Sequence, residues 1–189
     1  MTNNTFSKIK KDFVVYNKKR RIVIQQSNEA LNLSKRAIFA FHRDNFKEAD
    51  ESLGRAEKIF ADLDKLAKDA PKLRHEGAWR AALEENIEAR LFGSYLKNKR
   101  IDVLMDKNMD NDIYLGGLCD FTGELFRRAI KEATAKNTAE VKKIKAAMEQ
   151  VVHNLIQLDL TGYLRTKYDQ AKNNLRKIEE VMYELSIRS

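Results

Sequence analysis

Two pairs of carboxylates offer the clearest chemistry in this sequence. Glu85 and Glu88 stand three residues apart, and Asp120 and Glu124 stand four apart, so each pair lies on one face of a helix. Spacing of about 100° per residue puts Glu85 and Glu88 on a face that otherwise carries large apolar side chains such as Phe92. Carboxylates buried there need protons, cationic partners or a metal. Four carboxylates around one site would favour Mg²⁺ or Mn²⁺, which prefer oxygen ligands.

A metal held in this way activates water and stabilises the transition state of phosphoryl chemistry. About one turn beyond the second pair come three cations that would hold a phosphate backbone: Arg127, Arg128 and Lys131. Gly116 and Gly117 precede that pair and permit another helix to approach closely. The ordinary alternative is that these acids are solvated or paired with Lys or Arg, as most acid pairs on charged helices are. The residues alone leave both alternatives open.

Other catalytic motifs are weaker. A di-iron bundle needs Glu-x-x-His pairs from two helices, and none of His42, His75 and His153 stands three residues after a Glu. The sequence holds no Gly-rich phosphate loop, HExxH or GxSxG motif. The single cysteine, Cys119, cannot form an intrachain disulfide, which favours a reducing compartment and a cytoplasmic location.

The net charge of +8 belongs entirely to the first 43 residues. They hold ten of the 36 Lys and Arg but only two of the 28 Asp and Glu, and the rest of the chain is balanced. Nucleic acid is the commonest partner for such an asymmetry, followed by an anionic membrane, while a solvated helix is the third explanation. Helical spacing aligns four of these cations in one stripe, with a fifth at its edge: Lys11, Lys18, Arg36 and Arg43, and at the edge Arg21.

A second basic group surrounds the only tryptophan. Arg74, His75 and Arg80 lie close to Trp79 in sequence. Such a group can stack on a nucleobase and hold a nucleic-acid strand. A lone tryptophan in a helix more often belongs to the core. The sequence leaves both roles open.

Composition and periodicity predict one all-α domain over residues 1–189, a bundle of six or seven helices with long first and last helices. Only seven Gly and one Pro occur, too few for a turn-rich β protein, and no uncharged run is long enough for a membrane span. The first four predicted helices cover about 5–43, 45–69, 73–99 and 112–135. Asn137, with Glu140 three residues on, is typical of a cap that starts a fifth helix to about 158, and after a break at Thr161-Gly162 a last helix carries Leu164 to Leu185. A polar loop is predicted at 100–111, with a short turn at Ile101, Val103 and Leu104 left open. The last helix carries an apolar heptad seam that packs either within its own bundle or against another subunit.

Several runs resemble the translin superfamily, and within it translin-associated factor X (TRAX) more than translin itself. These runs are SKRAIFAFHR at 34–43, LEENIEARLF at 83–92, DIYLGGLCDFTGEL at 112–125 and YDQAKNNLRKIEEVMYELSIRS at 168–189. The resemblance covers most of the chain. It implies a translin-like all-α bundle that assembles into a hollow homo-oligomer, typically an octamer.

The resemblance also implies a function. Translin binds single-stranded RNA and DNA, and TRAX supplies a Mg²⁺-dependent endoribonuclease activity. The acidic residues of TRAX match Glu85, Glu88 and Asp120, with Glu124 as an adjoining candidate. The basic run from Arg74 to Arg80 matches a translin stretch implicated in nucleic-acid contact, although Gly77-Ala78 departs from its pattern. The chain is shorter than the eukaryotic TRAX proteins, which suggests a compact prokaryotic or archaeal member.

Three functions are therefore consistent with the sequence. The leading expectation is a metal-dependent endoribonuclease that cleaves single-stranded RNA, with single-stranded DNA left open as a second ligand. The second is a translin-type protein that binds nucleic acid without cutting it. The third is a helical scaffold that binds protein partners and no nucleic acid.

Overall fold

The computed structural model describes residues 3–101 and 110–187, which form six α-helices, one short 3₁₀ helix and no strand. The predicted all-α bundle is confirmed. The helices are α1 (Asn3–His42), α2 (Phe46–Ala67), α3 (Gly77–Asn98), α4 (Asn111–Thr134), α5 (Thr138–Ile156) and α6 (Gly162–Ile187), and the 3₁₀ helix is Pro71–His75.

Short polar side chains set the starts of three helices. The side chains of Asn45, Asp110 and Asn137 accept hydrogen bonds from backbone N–H groups in the first turns of α2, α4 and α5. Each bond satisfies a donor that the helix itself leaves unpaired. The start of α5 at the predicted Asn137 cap is confirmed.

The predicted third helix begins too early. Residues Pro71–His75 form a 3₁₀ helix instead, and Glu76 then takes an extended backbone with ψ 129° before α3 begins at Gly77. At the other end, Lys99 has a left-handed backbone with φ 56° and closes α3. The greater part of the predicted loop at 100–111 lies outside the described residues.

The first helix is longer than its neighbours can cover. It has 40 residues, about 60 Å, whereas α2 has 22, about 33 Å. The apolar face of α1 is therefore buried only in part. Val23 and Phe41 are fully buried, but Phe6, Ile9 and Phe13 remain more than half exposed.

The third helix lies between α1 and α4, and α4 in turn packs on α5 and α6. The largest buried cluster joins Phe41 of α1, Phe92 of α3 and Phe121 of α4. The heptad seam of α6 packs into this same cluster through Tyr168 and Ile178. The structure therefore assigns the seam to its own bundle. None of the described helices is long and apolar enough to cross a membrane.

Candidate active site

Two glycines let α4 press against α3 where the acidic residues lie. A Cβ added at Gly116 would collide with the carboxylate of Glu84. One added at Gly117 would lie 2.8 Å from the backbone oxygen of Glu84 and 2.8 Å from a methyl carbon of Ile87. Only glycine permits this approach. The predicted role of the two glycines is confirmed, and the contact brings the acidic face of α4 towards that of α3.

Glu88 is the most deeply buried of the predicted acids. It is 8% exposed, and no described residue forms a hydrogen bond or ion pair with it, although the charge of Lys167 partly opposes the rise of its pKa. Burial raises its pKa to about 9, and repulsion from Glu85, Asp120 and Glu124 adds to the effect. The four predicted carboxylates are thus close enough to repel one another. Without a cation, Glu88 holds its proton at neutral pH.

Glu85 lies at the edge of the same cluster. Burial raises its pKa, and Asp120 and Glu124 raise it further. Lys35 of α1 opposes this effect from 3.9 Å. This lysine was absent from the predicted site, although it belongs to the basic first segment.

Asp120 is held by a lysine that the sequence did not single out. Lys167 of α6 contacts its Oδ2, lies 2.8 Å from Oε1 of Glu84, and so bridges two carboxylates. Tyr163 donates a hydrogen bond to the same Glu84 oxygen over 2.5 Å. Burial raises the pKa of Asp120 in spite of Lys167. Burial alone would lower the pKa of Lys167, but its bonds to Asp120, Glu84 and Tyr163 raise it above the ordinary value.

Glu124 is held by a histidine from α1. Its Oε2 contacts Nε2 of His42, and Nη1 of Arg127 lies 3.7 Å from the same oxygen. The His42 ring packs against Phe92 at 4.7 Å between centroids, which fixes its position. In the sequence, the position of His42 served only as evidence against a di-iron site. Its place in the run SKRAIFAFHR was the available signal.

These ion pairs determine whether the carboxylates are free to bind a metal. Within residues 3–101 and 110–187, no three His, Cys, Asp or Glu side chains are grouped as a preformed metal site. Asp120 is paired with Lys167 and Glu124 with His42, while Glu88 forms no ion pair with a described residue. A metal would therefore require Asp120 and Glu124 to change partners.

The three predicted rim cations separate into two groups. Arg127 lies at the site through Glu124. Arg128 lies 2.6 Å from Asp44, and Lys131 lies 2.7 Å from the same carboxylate. Both therefore brace the turn between α1 and α2. We keep Arg127 as the rim cation and regard the other two as structural.

The remaining predicted cations are spread along the molecule. Lys11, Lys18, Arg21 and Arg36 are exposed on α1, and Arg43 is exposed directly after its last residue, His42. Residues 11 and 36 are about 38 Å apart along the helix, so the stripe forms a track and not a single site.

The basic group near Trp79 is largely paired. Arg74 lies 2.7 Å from Asp64, and Arg80 lies 2.6 Å from Asp110. His75 is exposed. Trp79 is 2% exposed and belongs to a buried cluster, so its indole is part of the core and not a free stacking surface.

Comparison with known proteins shows the family to which the chain belongs. A sequence profile described as the Translin family matches residues 18–189. The chain belongs to the Translin family. The chain is also similar to translin-associated factor X. The translin-associated protein X homolog of Schizosaccharomyces pombe is 24% identical to it, over 90% of this chain and 82% of that protein.

Translin itself is similar over a shorter stretch. Translin of Gallus gallus is 34% identical over 82 residues, which are 43% of this chain. The chain thus spans 36% of the length of chicken translin.

Solved structures share the fold. Apo-NeC3PO superposes with a TM-score of 0.87 at 24% identity, over 98% of both chains. An AfC3PO–duplex RNA complex superposes with a TM-score of 0.89 at 17% identity, over 97% of both chains. At these identities the similarity establishes the common all-α architecture.

Proposed function

We propose that this protein is a metal-dependent endoribonuclease that cleaves single-stranded RNA. The observation that carries the proposal is Glu88, a buried carboxyl that forms no ion pair with a described residue and whose pKa is raised further by the charges of Glu85, Asp120 and Glu124. Such an excess of negative charge in a partly buried site suits a divalent cation. The four residues would hold Mg²⁺ or Mn²⁺.

The donor set fits such an ion. All four side chains supply hard oxygen ligands, and no thiolate enters the set. A bound Mg²⁺ or Mn²⁺ ion would act as a Lewis acid towards the phosphodiester and its attacking water. Without the ion, Lys167 and His42 pair with Asp120 and Glu124, and both carboxylates would leave these partners to bind it.

The chain's cations would bind the substrate. Arg127 and Lys35 lie at the edge of the cluster and would contact phosphates close to the cleaved bond. The exposed cations of α1 would guide the rest of the strand. Relatives support the class of ligand, because AfC3PO forms a complex with duplex RNA.

We also propose that the protein works as a homo-oligomer, of eight subunits, in the cytoplasm. Its exposed apolar side chains on the first third of α1, including Phe6 and Phe13, are the kind of surface that another subunit covers. The octamer comes from the family resemblance, and the free, buried Cys119 is compatible with a reducing compartment.

Cleavage of a labelled, unstructured RNA in Mg²⁺ tests the nuclease. Glu85→Ala and Asp120→Asn should abolish cleavage but leave RNA binding in EDTA intact. Glu179→Gln, on an exposed part of α6, is the matched control and should cleave normally. If the two site variants cleave like the wild type, the proposed metal ligands are wrong.

The second candidate is translin-type binding without cleavage. Its specific support is that Lys167 and His42 already satisfy Asp120 and Glu124 without a metal. It predicts salt-sensitive binding of RNA or single-stranded DNA, weakened by Lys18→Ala or Arg36→Ala. RNA that stays intact after long exposure to Mg²⁺ and Mn²⁺ would favour this candidate.

A further inference from the structure

Phe39 is an exposed aromatic ring within an otherwise buried stretch of α1. Its neighbours Ile38, Ala40 and Phe41 are all buried, whereas Phe39 is 50% exposed. The largest buried cluster does not include it. A ring in this position contributes little to the fold, so another role should explain it.

The ring lies beside the carboxylate cluster. Phe39 is four residues after Lys35 and three before His42, so the three side chains share one face of α1. Lys35 reaches Glu85 of α3 at 3.9 Å, and His42 contacts Glu124 of α4. The face that carries Phe39 therefore borders both acidic helices.

A cation covers one side of the ring. The guanidinium carbon of Arg127 lies 4.9 Å from the centroid of Phe39, while Nη1 of Arg127 remains 3.7 Å from Glu124. Arg127 is half exposed, as is Lys35. An exposed ring beside two half-exposed cations has the composition of a single-strand binding surface, where rings stack bases and cations hold phosphates.

We propose that Phe39, with Arg127 and Lys35, forms a nucleobase subsite next to the carboxylates. Phe39 stacks on an unpaired base of the RNA strand that is to be cleaved. Lys35 and Arg127 hold the phosphates on either side of that base. The inference rests on the proposed function and adds to it, because a base can reach Phe39 only when it is not paired. The subsite thus selects single strands without reading their sequence.

Fluorescence of a short RNA that carries an aminopurine tests the subsite, since stacking on an aromatic ring quenches this base. Binding is measured in EDTA, where the proposed cleavage cannot occur. Phe39→Leu keeps an apolar side chain but removes the ring, and Phe39→Trp keeps a ring. Tyr183→Leu is the matched control, because Tyr183 is an exposed aromatic ring near the end of α6.

We expect wild type, Phe39→Trp and Tyr183→Leu to bind the RNA and quench the aminopurine. Phe39→Leu should lose the quenching and bind at least about fivefold more weakly, the lower end of the effect of losing one stacked base. Affinity for a fully paired duplex of the same sequence should not change, since its bases are not available. Light scattering on each variant reports the number of subunits.

If Phe39→Leu quenches the aminopurine fluorescence as strongly as the wild type does, the proposed subsite is wrong. A changed subunit number with normal quenching would also overturn it, and would assign Phe39 to a contact between subunits. Wild type that binds and quenches but never cleaves would support the subsite and refute the nuclease. Wild type that binds no RNA would overturn both.

Discussion

The buried carboxyl of Glu88 makes the stability of the metal-free protein depend on pH in a defined direction. Burial, and after it repulsion from Glu85, Asp120 and Glu124, raises its pKa from 4.5 to about 9. The folded state therefore binds the proton of Glu88 more tightly than the unfolded state does. The stability that this group contributes is complete below pH 4.5 and is lost as the pH rises towards 9.

The size of the effect follows from the same values. Each pH unit within this window costs about 1.4 kcal/mol. Between pH 4.5 and pH 7 the loss is about 3 kcal/mol. A domain is usually stable by only about 5–15 kcal/mol, so the loss is measurable.

Glu88→Gln removes the ionisable group and keeps the shape of the side chain. Relative to the wild type, its free energy of unfolding should therefore rise by about 3 kcal/mol from pH 4.5 to pH 7. Any fixed cost of burying the amide is the same at both pH values and cancels in this comparison. Urea unfolding in EDTA, followed by the fluorescence of the buried Trp79, measures it at one protein concentration.

Glu179→Gln removes an exposed carboxyl of α6 and should show no such pH dependence. A constant difference between Glu88→Gln and the wild type across the pH range would refute the reasoning. Mg²⁺ at neutral pH should stabilise the wild type more than Glu88→Gln, because only the wild type keeps the full ligand set.

Three further predictions concern the same region. Gly117→Ala should lower the free energy of unfolding by about 1–3 kcal/mol, and by more than Gly116→Ala, because its new Cβ meets backbone and not a carboxylate; thermal denaturation would compare them. Lys167→Met should destabilise the metal-free protein by about 2 kcal/mol in chemical denaturation, since two half-buried carboxylates lose their cation, and equal stability would contradict this. Cys119 is buried, with a pKa raised to about 12 by burial and then by Asp120, so an aromatic disulfide reagent at pH 8 should modify it only as fast as the protein opens.

The sequence predicted the helices well because their signals are local. Periodic apolar residues gave the six helices of the described chain, and the Asn137 cap gave the start of α5. The start of α3 was wrong, since the extended backbone of Glu76 interrupts a run that is otherwise typical of a helix. The same periodicity correctly placed Glu85 with Glu88, and Asp120 with Glu124, on shared faces.

The partners of these acids required the tertiary structure. Lys167 is 47 residues from Asp120, and His42 is 82 residues from Glu124. No local pattern connects positions so far apart, because the contacts depend on which helices pack together. The sequence thus determined the residue types and the helix face on which each acid lies. Only the packing of α1, α4 and α6 decided which cation meets which carboxylate, and that Glu88 forms no ion pair with a described residue.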